Sequence, residues 1–262
     1  MKWIVKKIDR CILPMIGFLT IISIWANLSH VVSDSLPGPV QTLTWSWDLI
    51  RHPFFDNGPN SKGIGWQILY SLCRVGIGFT LATIVGISAG LMLGLSPKLY
   101  KMWYPMVQLL KPVSPMAWLP LGLAAFKAAN PAAVFAIFIV SLWPILINTV
   151  TGVQQTPKEY LQVGRILRLS RRKMITKIMI PAAMPHILSG LRVGIGVAWL
   201  VIVASEMLTG GVGIGFFVWD AWNNFSLEHI ILAIWLIGLV GLALDRLILP
   251  VAHRFNSQMG VV

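Results

Sequence analysis

The sequence predicts an all-α integral membrane protein of six transmembrane helices with a helical loop on its cytoplasmic side. The chain of 262 residues is 56% hydrophobic and only 11% charged, where an ordinary soluble domain carries roughly a quarter charged residues; its mean hydropathy is +0.75. Six segments supply the ~20 mostly apolar residues that a bilayer core requires, and basic residues collect in alternate connections between them. The net charge of +12, from 21 basic against 9 acidic residues, would suggest nucleic acid only as a basic face on a soluble fold. Here the charge sits between apolar spans and reports loop topology.

The spans fall near 11–30, 66–95, 102–126, 131–150, 183–208 and 229–251, in one membrane domain covering 1–262. The N-terminal run "MKWIVKKIDRCILPMIGFLTIISIWANLS" has the charged start and apolar core of a signal peptide but no small-residue cleavage site, so it reads as a retained first span. Lys2, Lys6, Lys7 and Arg10 precede it, Lys98 and Lys101 follow the second span, and Lys158, Arg165, Arg168, Arg171, Arg172, Lys173 and Lys177 follow the fourth. Positive charge places these segments, and with them both termini, in the cytoplasm of a bacterial inner-membrane protein. The opposite connections are poor in Lys and Arg: 31–65 has Arg51 and Lys62 against Asp34, Asp48 and Asp56, and the fifth-to-sixth connection has only Asp220 and Glu228.

In the second span Gly78, Ala82, Gly86, Gly90 and Gly94 recur at every fourth position, a face of small residues that admits a neighbouring backbone. That neighbour is either another span or a second copy of the chain. The third span holds Pro112, Pro115 and Pro120, each lacking an amide donor; it is either a pathway wall or a kinked packing helix. The pentapeptide "RVGIG" occurs at Arg74–Gly78 and Arg192–Gly196, and reads as a chance match because its flanks do not repeat. Cys11 and Cys73 have no ligand spacing and read as small apolar packers. The five histidines are scattered, so no metal site is assigned, and no nucleophile–base arrangement marks a catalytic centre. "GGVGIG" at Gly210–Gly215 lacks the lysine and hydroxyl of a phosphate loop; its glycines read as allowing a bend at a span end. Ionisable residues inside spans are costly and default to function, which makes Arg74, Lys111, Arg192 and Glu206 candidates for an anion pathway. A structural Glu206–arginine pair is the alternative.

The loop near 154–182 is built to form helices. Thr156-Pro157-Lys158-Glu159 combines an N-cap candidate, proline at the first helical position and glutamate three residues after the cap. Ser170 can cap a second helix from Arg171, with Met174, Ile175, Ile178 and Met179 on one apolar face. Three basic residues in that first turn oppose the helix dipole, so they serve a partner surface better than local stability.

This loop resembles the cytoplasmic motif of ATP-binding-cassette importer permeases: EAA, three residues, G, nine residues, I, one residue, LP. Gln162, Val163 and Gly164 stand for the EAA, Arg168 for the glycine, and Ile178, Ile180 and Pro181 for the I, L and P. Arg168 in place of glycine speaks against a left-handed turn at that point. "HPFFDNGPNSKGIGWQIL", "MAWLPLGLAAFKAANPAAVF", "LWPILINTVTGVQQTPKEY" and "GGVGIGFFVWDAWNN" resemble the nitrate, bicarbonate and cyanate members of the nitrate, sulfonate and taurine group, across 35–250.

The resemblance implies a type I importer permease fold and import of a small inorganic anion, with nitrate first and bicarbonate, cyanate or an organosulfonate as alternatives. It also implies a second permease copy, separate ATPase subunits that carry the ATP and magnesium, and an extracytoplasmic anion-binding protein. Arg171, Arg172 and Lys173 would then begin a coupling helix on the ATPase, while this chain binds no cofactor itself and contacts membrane lipid. From other classes, an ATP-independent channel or carrier would also account for the spans, whereas a membrane enzyme would require a polar cluster at one depth.

Overall fold

The computed structural model describes residues 2–31, 36–58 and 61–258, except for the side chains of 2–11, 30 and 248–258. Its regular secondary structure among these residues is helical, apart from one isolated bridge between Asp56 and Lys62. The spans are α1 (Lys2–Val31), α4 (Ile64–Leu95), α5 (Pro97–Leu110) with α6 (Pro115–Phe126), α7 (Ala129–Gln154), α10 (Ile180–Thr209) and α12 (Leu227–Gln258).

The glycine ladder finds its neighbour inside the chain. A Cβ added at Gly78 would stand 2.8 Å from Ile137, at Gly86 2.9 Å from Ile145, and at Gly94 2.8 Å from Val153. The ladder of α4 thus meets a stripe of α7 at the same spacing, in the approach that small residues permit where lipid supplies no hydrophobic drive between helices. Both series ascend together, so α4 and α7 run in the same direction. The chain between two such helices must return across the bundle, and α5 with α6 makes that return; the crossings therefore number six.

That third span is broken rather than continuous over 102–126. α5 and α6 meet at 98°. Pro112 lacks an amide donor, Pro115 opens α6 at its first position, and each proline disfavours helical backbone in the residue before it. Pro120, by contrast, is accommodated within α6.

α7 is the central helix, packed on α4, α6 and α10. Its contact with α10 is antiparallel: Gly152 faces Ala183 and His186, and Gly190 faces Pro144, Ile145 and Asn148. α12 closes on α10, where the Trp199 indole donates to the Ile237 carbonyl at 2.9 Å. α1 meets α12 through Trp235, whose ring centroid lies 5.5 Å from Phe18 and 6.2 Å from Trp25. Most other described α1 side chains are exposed, as expected where lipid or a further chain covers them.

Two connections hold helices that hydropathy alone did not reveal. The segment 31–65 contains α2 (Pro39–Trp45) and α3 (Trp47–Arg51), and the Gln41 side chain accepts from the Gly38 amide at 3.0 Å. The fifth-to-sixth connection contains α11 (Ile214–Asn223). Cys73 is exposed on the bundle surface rather than packed inside, because its helix buries Ser71 and Val75 on either side of it. The Cys11 side chain lies outside the described residues.

The two "RVGIG" copies are not structural equivalents. In the first, Val75 is buried and Gly78 packs, while Gly76 faces open space; in the second, Ile195 is buried and Gly194 packs, while Gly196 faces open space. The same five residues present different faces, which agrees with a chance match.

Candidate functional site

The basic loop folds as α8 (Lys158–Ile166), a turn, α9 (Arg171–Met174) and a single π-helical turn at Ile175–Met179 that runs into α10. Thr156 is not the cap. Its hydroxyl donates to the Val153 carbonyl at 2.9 Å and closes α7 instead, leaving Pro157 as the first residue before α8. Glu159 lies in the first turn, the favourable end of the dipole for an anion.

At the other end of α8, Arg168 adopts φ +49°, so the left-handed turn forms without glycine. Its strain of about 1–2 kcal/mol is offset by hydrogen bonds to otherwise open carbonyls: the Leu169 amide donates to Gly164 at 3.0 Å and the Arg168 amide to Arg165 at 2.9 Å. Ser170 caps α9 as predicted, accepting from the Lys173 amide at 3.4 Å.

Gly164 fixes how the two arms of the loop pack. A Cβ there would stand 2.6 Å from Met174 Sδ and 2.7 Å from Ile178 Cδ1, so glycine lets α8 lie on the predicted apolar face with the ends of these two side chains where they are. Met174, Ile175, Ile178 and Met179 are accordingly half-buried. Gln162, Val163, Arg165, Ile166, Leu167, Arg168, Arg171, Arg172, Lys173 and Lys177 are exposed. With Ile166 80% and Leu167 65% exposed among these cations, the surface mixes apolar anchors with one sign of charge, the composition of a protein interface. A groove of about 260 Å³ beside it is lined by Tyr160, Val163, Lys177, Ile178, Pro181 and Ala182; Ile180 is half-buried next to Pro181.

From Arg171 the helical run continues without interruption to Thr209, 39 residues in all, or about 58 Å at ~1.5 Å per residue. Glu206, near the end of that run, is 1% exposed and is the hub of a polar cluster. Its carboxylate accepts from Arg74 Nη1 at 2.5 Å and from the Gly215 amide at 3.0 Å, with Ser71 Oγ 2.8 Å from both of its oxygens. Ser71 Oγ accepts from the Ile214 amide at 3.0 Å, and Gln67 Oε1 accepts from the Gly213 amide at 2.5 Å. Arg74 also donates to the Val212 carbonyl at 2.8 Å and to Asn130 Oδ1 at 2.9 Å.

Arg192 pairs with Asp245 of α12, donating from Nε at 2.5 Å and from Nη2 at 2.6 Å. Lys111 stands at the break between α5 and α6, exposed, and no ion pair involves it among the described residues. The structure therefore brings Arg74 and Glu206 together and holds Arg192 and Lys111 apart from them. Sequence reasoning did not single out Gln67 or Ser71, and it read Gly213 and Gly215 only as glycines that allow a bend at a span end. A usable signal was present: Gln67 and Ser71 carry polar side chains within an apolar span, four residues apart, on the face that Val75 and the glycine ladder continue.

Six spans with a central α7 and an exposed basic helical loop are the features of a transport permease, a class that the family match supports. The chain belongs to the family of binding-protein-dependent transport system inner membrane components, which matches residues 82–254. Members are multi-pass, non-catalytic subunits that work with a separate ATPase and a binding protein. Within that class the chain stands in the nitrate and bicarbonate group. It is 48% identical over 239 residues to the nitrate import permease protein NrtB of Synechocystis, covering 91% of this chain and 87% of that one. It is also 48% identical over 236 residues to the bicarbonate transport system permease protein CmpB of the same organism, covering 89% and 84%. The crystal structure of an amino acid ABC transporter superposes with a TM-score of 0.63 at 15% identity, over 82% of this chain and 97% of that one. This likeness shows the type I importer permease fold.

Proposed function

We propose that the chain, as a homodimer, forms the pathway of an ATP-driven importer for a small inorganic anion, with nitrate as its first substrate. The observation that carries this reading is the exposed face of α8 and α9, where Ile166 and Leu167 stand among Arg165, Arg168, Arg171, Arg172 and Lys173. Such a face suits an acidic groove on a cytoplasmic ATPase, which binds the ATP and magnesium. Both termini lie on that side. An anion-loaded binding protein docks on the opposite side, ATP binding closes the ATPases and opens the paired spans outward, and hydrolysis resets them.

Lys111 is the pathway cation in this reading, since Arg74, Glu206 and Arg192 are already held in ion pairs. An intramembrane charge that has no ion-pair partner among the described residues is costly to keep, and a passing anion gives it a use. Bicarbonate is the second reading, supported by a bicarbonate permease at the same 48% identity as the nitrate permease. ATP-dependent uptake of labelled nitrate and labelled bicarbonate into proteoliposomes holding the full complex separates the two. Nitrate uptake that exceeds bicarbonate uptake supports the first reading, and the reverse order moves the substrate to the second.

A further inference from the structure

The cluster around Glu206 joins four parts of the bundle: α4 through Gln67, Ser71 and Arg74, α7 through Asn130, α10 through Glu206 itself, and the start of α11 through the amides of Gly213, Ile214 and Gly215. The first amides of a helix have no partner within it, and all three here point at side chains of α4 and α10. The fit leaves no slack. A Cβ on Gly213 would collide with the Glu206 carboxylate and one on Gly215 with the Val203 carbonyl. This buried carboxylate closes the end of a helical run that begins at Arg171 in the docking loop.

We propose that Glu206 is a positioning residue that pins α11 to the far end of α10, so that a displacement of the docking loop carries α11 with it. The inference rests on the reading of α8 and α9 as the ATPase-docking surface. A rod moves what is fixed at its far end, and Glu206 supplies that fixture through its contact with Gly215 and through Ser71, which bridges it to the Ile214 amide. Arg74 neutralises the carboxylate, which makes the burial tolerable, and ties the same point to α7.

The test uses the permease reconstituted with its ATPase and binding protein, nitrate as the probe, and two readouts: ATP hydrolysis, and nitrate taken up per ATP hydrolysed. Glu206→Gln removes the charge at nearly constant volume, and Gly213→Ala displaces the carboxylate without removing it. Gly196→Ala, on the same helix with nothing within 4 Å of its Cβ, is the control. Expected for both cluster variants is an assembled complex that hydrolyses ATP with uptake per ATP down about tenfold, the scale of one lost charge-assisted hydrogen bond, and no change in the control. Unchanged uptake per ATP in both variants overturns the proposal. So does a parallel loss of assembly, hydrolysis and uptake in both, which would make the cluster a fold determinant only. Failure of the docking reading shows separately, as a wild-type permease that binds no ATPase.

Discussion

Gly90 of α4 and Thr149 of α7 meet so closely that a Cβ built on Gly90 would stand 2.6 Å from the Thr149 Cβ. Gly90→Val therefore has no room, and forcing it in is expected to cost about 1–3 kcal/mol. Gly76→Val on the same helix meets nothing within 4 Å and serves as the tolerated counterpart. Thermal unfolding of the two variants in detergent checks this, with a lowered midpoint for Gly90→Val alone.

Arg171, Arg172 and Lys173 changed together to glutamate reverse the charge of the docking face without touching the Gly164 contact that holds the loop together. Interface charges act on encounter rate and salt dependence, so co-purification of the ATPase should fall by about tenfold or more at low salt. Wild-type association should itself weaken as ionic strength rises. Normal coupled uptake in the triple variant would remove the docking role from these residues.

Asp245→Asn leaves the Arg192 guanidinium without its bidentate partner between α10 and α12. The two side chains are 51% and 33% exposed, so the pair contributes less than a buried one; the single variant should lower the melting midpoint modestly, and Arg192→Gln with Asp245→Asn should recover most of that loss. Melting midpoints of the single and double variants read this out.

The Asp56 carboxyl, outside the spans, is held below its ordinary value of 3.8, first by the Lys62 ammonium that donates to it and then by the Gly58 amide. A depressed carboxylate pKa contributes order that is present above the ordinary value and lost as pH falls through the folded value. Hydrogen-exchange protection of the turn around Asp56 and Lys62, corrected for intrinsic rate, should stay level from neutral pH down to about 3.8 and drop below it. In Asp56→Asn the protection should be lower and insensitive to pH across the same range.

What was legible in the sequence was whatever repeats or caps locally. The spacing of Gly78 to Gly94 exposed a packing face, and Ser170 before Arg171 announced a helix start. The partner of that face was not legible, because Ile137, Ile145, Thr149 and Val153 are ordinary span residues until α7 is laid beside α4. The break at Lys111–Ser114 was half-legible, since prolines forbid regular hydrogen bonding but do not set the bend of 98°.

Two features escaped for opposite reasons. Arg168 enters the left-handed region despite its side chain, because the carbonyls of Gly164 and Arg165 need donors there. Gly213 and Gly215 appear as flexible punctuation in the sequence, yet each is fixed by a close approach to α10. The Glu206 cluster links residues 67 to 215, and no local pattern encodes a contact of that separation.

In the proposed mechanism this chain passes the state of an anion-loaded binding protein to a separate ATPase. ATP hydrolysis by the reconstituted complex tests it most directly, with the binding protein added empty and then loaded in turn with nitrate, bicarbonate and cyanate. Stimulation by the loaded protein, greatest with nitrate, and none by the empty one is the expected result. Hydrolysis indifferent to the binding protein, together with anion flux in liposomes that hold this chain alone, would contradict it.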